Sequence, residues 1–177
     1  MRHPLEFIPL HLRKPLFYFF FIFTLVIFGI FGQLDQPLRT SEAPDGIVSF
    51  ELARTLDNSQ AMINSWDSNA RLFAAFGLGL DYLFMPVYAM ALSLGLLLAG
   101  HEKTNWYHTL TIWLGWGAFA AAFFDAVENY ALWLTLTGNV GSSFPQVAAL
   151  CAMIKFIFLM AGILAVLAGR AVGKLKI

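Results

Sequence analysis

The stretch LFYFFFIFTLVIFGIFG, residues 16–32, contains no charged side chain. With its flanks it forms an apolar run over residues 15–34, which matches the about 20 residues that a helix needs to cross the hydrocarbon core of a membrane. The run is longer than the roughly 7–15-residue apolar region of a signal peptide, and it does not alternate as a β-barrel strand does. The stretch therefore predicts an uncleaved α-helix that spans a membrane.

Three further apolar runs of similar length follow, over residues 72–100, 106–138 and 145–169. The whole chain is 59% hydrophobic and 12% charged, whereas an average soluble domain is about 25% charged. This composition excludes an ordinary soluble domain and a disordered chain. The 11 basic residues balance 11 acidic ones, so no basic patch is available for nucleic acid. The sequence predicts an all-α membrane protein, a four-transmembrane-helix bundle that forms a single integral membrane domain over residues 1–177.

Positive charge indicates the orientation of these four helices, because connections rich in Lys and Arg stay in the cytoplasm. Seven basic residues flank the same ends of the predicted helices, namely Arg2, Arg13, Lys14, Lys103, Arg170, Lys174 and Lys176. The connection over residues 35–71 holds three Arg against six acidic residues, and the connection after Gly138 holds no charge. We therefore expect both termini in the cytoplasm, with Trp106 and Tyr107 at the inner edge of the third helix and Trp133 near its outer edge.

The expected locations of the histidines and of the cysteine follow from their positions relative to the predicted spans. The four histidines, His3, His11, His101 and His108, all fall at the predicted cytoplasmic edge. Interfacial histidines are usually solvated, so ligation of haem or a quinone headgroup is the less favoured interpretation, and no cofactor is indicated. Cys151 is the single cysteine and lies in an apolar run. We expect it to be buried as a small hydrophobic residue.

The outer connection, residues 35–71, is too long for a passive turn. Its first part is polar loop, and from about Ser49 the sequence FELARTLDNSQAMINSW places apolar side chains on one helical face. These side chains are Leu52, Leu56, Ile63 and Trp66. The pattern predicts an extracytoplasmic amphipathic helix that covers the ends of the spanning helices, with a substrate gate as the alternative.

Four ionisable residues lie inside the predicted spans, where they are costly and count as candidate functional groups. Asp81, Glu128 and Lys155 each lie ten positions from the outer end of their helix, which is about 15 Å at the helical rise of about 1.5 Å per residue. Asp125 is slightly deeper. Three different helices are therefore expected to bring charged groups to one layer near the middle of the membrane.

Neighbouring polar residues extend this layer. Asp125, Glu128 and Asn129 are spaced i, i+3 and i+4, so they share one face of the third spanning helix. Tyr88 lies near the stripe of Asp81 on the second. The candidate ligand-binding or buried polar cluster comprises Asp81, Tyr88, Asp125, Glu128, Asn129 and Lys155.

Two interpretations of the cluster stay open. It is either a polar clasp that holds the helices in register, or a pocket whose spare carboxyl donates a proton or pairs with a cationic group. Three carboxyls against one ammonium cannot all be charged in a dry interior. A metal site is not predicted, because no Glu-x-x-His motif occurs and no histidine lies at this depth.

The segments LGLDYLFMPVYAMAL of the second spanning helix and AAFFDAVENYAL of the third carry a resemblance. They resemble a type of small four-helix bacterial inner-membrane protein, without an assigned activity, that has an Asp-Tyr second helix and an Asp-x-x-Glu-Asn third helix. The likeness covers the chain from about Ser49 onward. It implies a bacterial origin and location as a multi-pass protein of the inner membrane.

The sequence supports three functional hypotheses. The first is binding of a small amphiphilic or lipid-like ligand among the second, third and fourth helices, with or without proton-transfer chemistry. The second is a non-catalytic accessory or scaffold subunit of a larger membrane complex, or of a homo-oligomer, with the cluster as an internal clasp. The third is a proton-coupled transporter, which four helices without an internal repeat make less favoured. Membrane lipid is an expected partner in each case.

Overall fold

The computed structural model describes residues 1–101, 106–138 and 143–172, and all regular secondary structure in these residues is helical. The helices are α1 (Leu10–Leu34), α2 (Ile47–Glu51), α3 (Leu56–Ser65), α4 (Ser68–Gly100), α5 (Trp106–Leu136) and α6 (Phe144–Val172), with a short 3-10 turn over Gln36–Leu38. Among the described residues, α1, α4, α5 and α6 are long and apolar enough to cross a membrane. The predicted all-helical fold with four candidate spans is therefore confirmed.

α1, α4 and α6 begin slightly earlier than predicted, and α5 begins at the predicted residue, Trp106. α4 begins at Ser68 because Asp67 caps it, with Oδ1 accepting a hydrogen bond from the backbone N–H of Ala70 at 2.7 Å. α1 begins at Leu10, ahead of the apolar run that predicted it. The parts of the orientation argument that lie outside the described residues are Lys103, Lys174, Lys176, residues 139–142 and the side chain of Arg170.

The predicted amphipathic helix of the outer connection is divided in two. α2 ends at Glu51 and α3 begins at Leu56, because Arg54 adopts a left-handed backbone conformation with φ of 61°. Thr55 then caps α3 by accepting a hydrogen bond from the N–H of Asn58 at 3.2 Å. The break also turns the apolar face, so that Leu52 is exposed rather than buried.

The chain forms two compact units. The first unit comprises residues 1–25, 86–122 and 155–177, and the second unit comprises residues 26–85 and 123–154.

The second unit has a core in which the outer connection packs on the spanning helices. Trp66 and Phe50, both buried, meet edge to face with ring centroids 5.3 Å apart. The Nε1–H of Trp66 donates a hydrogen bond to the carbonyl of Leu38 at 2.8 Å. Beneath them the spanning helices contribute small or medium side chains, namely Ala70, Ala74, Leu78, Ala131, Leu132 and Ala148. Small residues let helix backbones approach closely.

The first unit has a core that joins the N-terminal segment to α4. Leu5 and Ile8 pack with Leu94 and Leu97, and Phe17 of α1 packs against the same cluster. Gly95 of α4 lies beside the ring of Phe17, where a Cβ atom would come within 3.1 Å of Cε2 of that ring.

The first unit has two buried polar groups whose contacts the sequence did not indicate. Tyr107 is 1% exposed, and its hydroxyl donates a hydrogen bond to the carbonyl of Ala165, whereas the neighbouring Trp106 is exposed. His3 was expected to be solvated, but it is buried together with Arg13. The local carbonyl groups of the N-terminal segment make this burial possible, since they accept the hydrogen bonds of the guanidinium group.

Candidate functional site

The polar centre of the second unit is a side-chain contact between α4 and α5. The Nδ2 group of Asn129 donates one hydrogen bond to Oδ2 of Asp81 at 2.8 Å and one to the backbone carbonyl of Leu78 at 3.2 Å. The hydroxyl of Tyr82 donates to the carbonyl of Ala126 at 3.2 Å, which adds a third bond between the same two helices. These bonds link residues more than forty positions apart in sequence, so they fix the register of α4 against α5.

Two further carboxyl groups of the second unit are buried on α5. Glu128 is 0% exposed and Asp125 is 2% exposed. They share the helix face of Asn129, as the i, i+3 and i+4 spacing predicts. The sequence of this unit holds no Lys, and its three arginines all precede residue 72. Buried carboxyl groups are costly unless they are hydrogen-bonded or paired, so Asp125 and Glu128 are candidates for a structural or functional role.

The remaining two members of the predicted cluster belong to the first unit. Tyr88 of α4 and Lys155 of α6 are both buried. The Nζ atom of Lys155 lies 4.9 Å from the ring centroid of Phe156, within the range of a cation–π contact. The structure therefore brings Asp81 together with Asn129, whereas a Lys155 bridge to the carboxyls stays a prediction.

The remaining candidate groups are potential metal ligands and the cysteine thiol. No group of three or more His, Cys, Asp and Glu side chains there is arranged to hold a metal ion. Cys151 is buried on α6, where a small hydrophobic side chain fits.

An open groove of about 540 Å³ lies in the second unit, at the end where α4 begins and α5 ends. This volume falls within the range of small-molecule sites. The residues that line the groove are Trp66, Ser68, Arg71, Leu72, Ala75, Trp133, Leu136 and Thr137. None of the six residues in the predicted cluster lines this groove.

A smaller open groove, of about 310 Å³, lies on the neighbouring face of α4. It is lined by Leu34, Asn69, Leu72, Phe73 and Phe76. Leu72 lines both grooves, and both it and Phe76 are exposed. The surface of α4 that continues from the larger groove toward the middle of the helix is therefore apolar.

Arg71 is the charged residue of the larger groove, and its side chain is held in place. Its Nε–H is shared between the carbonyls of Ile63 at 3.0 Å and Trp66 at 3.2 Å, so the guanidinium group closes the end of α3. The sequence reasoning missed this role, because it counted Arg71 only as a charge at the edge of a span. An Arg flanked within a few residues by Trp66 and by the start of an apolar run was the available signal.

Comparison with known proteins identifies no relative. No family model, no curated protein and no solved structure matches the chain. The resemblance carried by the motifs of α4 and α5 therefore stays a prediction, and function has to be argued from the geometry of the second unit.

Proposed function

We propose that this protein is an integral membrane protein that binds a small amphiphilic or lipid-like ligand in the larger groove of the second unit. The observation that carries the proposal is the groove itself, which joins an apolar wall to a positioned guanidinium group at the end of a membrane-spanning helix. Ligand sites are typically concave and mostly apolar, with a few placed polar groups that orient the ligand.

This proposal moves the ligand away from the carboxyl groups. Arg71 precedes Asp81 by ten positions on α4, which is about 15 Å along a helix. A ligand of lipid size extends over that distance, so its far end reaches the layer of Asp81 while its polar end stays in the groove.

The membrane location and orientation belong to the same proposal. We place the protein in a bacterial inner membrane with both termini in the cytoplasm, so that α2, α3 and the groove face the outer side. The support is the distribution of Lys and Arg along the sequence. A reporter enzyme fused after Ile177 is expected to be active only in the cytoplasm, and activity in the periplasm would overturn the orientation.

Native mass spectrometry after purification in mild detergent tests the ligand proposal. The wild-type protein is expected to retain a bound amphiphile, and Trp133→Ala is expected to lose most of it because this indole forms one wall of the groove. Trp113→Ala is the matched control, since Trp113 is also an exposed tryptophan of α5 but does not line the groove. Equal retention in the two variants would contradict the proposal.

A second candidate function is favoured by the α4–α5 hydrogen bonds. In this alternative the chain is an accessory or scaffold subunit of a membrane complex or homo-oligomer, and the acidic residues form a structural clasp. The bonds from Asn129 to Asp81 and Leu78 are what a clasp requires.

Single substitutions of the carboxyl groups test the clasp independently of the groove, which none of them lines. Asp81→Asn, Asp125→Asn and Glu128→Gln keep the side-chain size and remove the charge. A large loss of thermal stability in detergent for all three supports the clasp. Unchanged or raised stability marks carboxyls that are kept for function at a cost to the fold.

A further inference from the structure

The larger groove has a charge asymmetry that limits what it can bind. Arg71 is the charged side chain of its lining, and no acidic residue lines it. The nearest acidic neighbour in sequence is Asp67, whose Oδ1 is engaged with the N–H of Ala70 at 2.7 Å. The groove therefore offers a positive charge to whatever enters it, without a carboxylate in its wall to offset that charge.

The guanidinium group of Arg71 is also arranged for recognition. Its Nε–H is fixed by the carbonyls of Ile63 and Trp66. Its two terminal nitrogens donate no hydrogen bond to any described residue. A guanidinium group held at one edge presents its remaining N–H groups as a planar fork, which matches two oxygens of a phosphate or carboxylate.

The rest of the groove suits an apolar tail. Leu72 and Ala75 lie on the turns of α4 that follow Arg71 toward the interior of the span, and Leu136 faces them from α5. Tryptophan side chains such as Trp66 and Trp133 are typical of the headgroup level of a membrane, where an apolar body meets a polar surface.

We infer that the groove holds an anionic membrane lipid, with the phosphate of its headgroup on the guanidinium group of Arg71 and an acyl chain along Leu72 and Ala75. This inference rests on the proposed ligand-binding function and adds the chemical class of the ligand. It excludes cationic amphiphiles, which Arg71 repels, and it gives Arg71 the role of selecting the headgroup.

The test is a titration of delipidated protein in detergent, followed by native mass spectrometry. The probes are phosphatidylglycerol, phosphatidylcholine and inorganic phosphate. The wild-type protein is expected to bind phosphatidylglycerol about tenfold more tightly than phosphatidylcholine. Both lipids carry the phosphate, but phosphatidylcholine adds a quaternary ammonium group that Arg71 repels. Inorganic phosphate is expected not to compete at millimolar concentration, because it gains nothing from the apolar wall.

Three variants assign the preference to Arg71. Arg71→Gln is expected to reduce the preference to near parity, whereas Arg71→Lys keeps the charge but loses the planar fork and is expected to retain part of the preference. Arg54→Asn is the matched control, since it removes an exposed charge from the same connection, and Asn tolerates the left-handed backbone there. It is expected to behave as the wild type.

The outcomes separate this inference from the proposed function. Equal binding of the two lipids by the wild type would overturn the inference and leave the ligand proposal standing, whereas binding of neither lipid would overturn both. Displacement by inorganic phosphate would overturn it in favour of a free anion site. A loss of preference in Arg54→Asn as large as in Arg71→Gln would overturn it by showing that general surface charge is responsible. A complete loss of the lipid preference in both Arg71→Lys and Arg71→Gln would show that the bonds from Nε to α3, rather than the positive charge, are decisive. That result would also overturn the inference.

Discussion

Asn129 in the second unit and Arg13 in the first unit are buried polar residues whose hydrogen bonds are of two different kinds. In the second unit Asn129 is satisfied by Asp81 and Leu78, which lie on another helix and are distant in sequence. In the first unit the guanidinium group of Arg13 is satisfied by the carbonyls of Ile8 and Glu6, at 2.9 Å each, within the same N-terminal segment.

The difference shows what each set of polar groups stabilises. Bonds between distant helices, such as those of Asn129, depend on the tertiary fold and help to specify it. Bonds within one segment, such as those of Arg13, stabilise the conformation of that segment and contribute little to register. Loss of the Asn129 bonds is therefore expected to affect the packing of the second unit as a whole, and substitutions in the N-terminal segment are expected to act more locally.

The largest expected effect is in the second unit, at Trp66. Trp66→Ala removes a buried indole, its contact with Phe50 and its hydrogen bond to Leu38, and is expected to lower the free energy of unfolding by about 3–5 kcal/mol. Trp106→Ala is the control, because Trp106 is 69% exposed. Denaturant titration in detergent measures both. Equal losses would mean that the outer connection does not stabilise the second unit.

Asn129→Leu removes the side-chain contact between α4 and α5 while keeping a similar volume. We expect a loss of about 1–2 kcal/mol, since hydrogen bonds between membrane helices are individually modest and Asp81 loses a donor. Asn69→Leu makes the same chemical change at an exposed position of α4 and is expected to be near neutral. If Asn129→Leu were also neutral, the contact would not determine the register of the two helices.

Sequence reasoning predicted the parts of this architecture that depend on neighbouring residues. A run of apolar residues suffices to place α1, because crossing a membrane is a matter of length and hydropathy. The shared face of Asp125, Glu128 and Asn129 follows from helical periodicity alone. Both features are local, so they need no knowledge of how the helices pack.

The features that were missed depend on contacts between distant segments. The groove combines Trp66, Arg71 and Trp133, which come from a connection, the start of α4 and the end of α5. The burial of Tyr107 depends on the carbonyl of Ala165, which no pattern around Tyr107 indicates. The break between α2 and α3 was accessible in part, because Thr55 followed by Asp57 is a signal for a helix start.

The buried His3 of the first unit is expected to make the stability of the protein depend on pH. Burial, with smaller contributions from Arg13 and His108, lowers the pKa of His3 from 6.5 to about 4. Its Nδ1 accepts a hydrogen bond from the N–H of Leu5 at 3.2 Å, and a Cβ atom at Gly115 would overlap its Nε2. The unfolded chain therefore binds a proton between pH 6.5 and 4 that the folded protein does not, so stability falls as the pH falls through this window.

The thermal midpoint of the wild type is expected to fall by a few degrees between pH 7.5 and pH 4.5. His3→Gln is expected to show a smaller fall over the same range. The control is His11→Gln, since His11 is exposed, and it is expected to keep the wild-type slope. An equal slope in wild type and His3→Gln would show that His3 titrates normally and is not buried in the folded protein.

The smallest effect is expected at an exposed ion pair of the second unit. Nε of Arg39 lies 2.9 Å from Oδ2 of Asp35, and Arg39 is largely exposed to solvent. Because water screens such pairs, Arg39→Gln is expected to change the free energy of unfolding by less than about 0.5 kcal/mol.

Asp35 itself has a second role that separates it from a simple surface charge. Its Oδ1 accepts a hydrogen bond from the backbone N–H of Ile47 at 2.7 Å, and Gly46 packs against the same carboxyl group. This bond survives in Arg39→Gln, so the start of α2 is held even when the ion pair is lost. A loss above about 1 kcal/mol in Arg39→Gln, measured by the same denaturant titration, would show that the ion pair is needed to position Asp35. The outer connection would then depend on a charge contact as well as on its buried core.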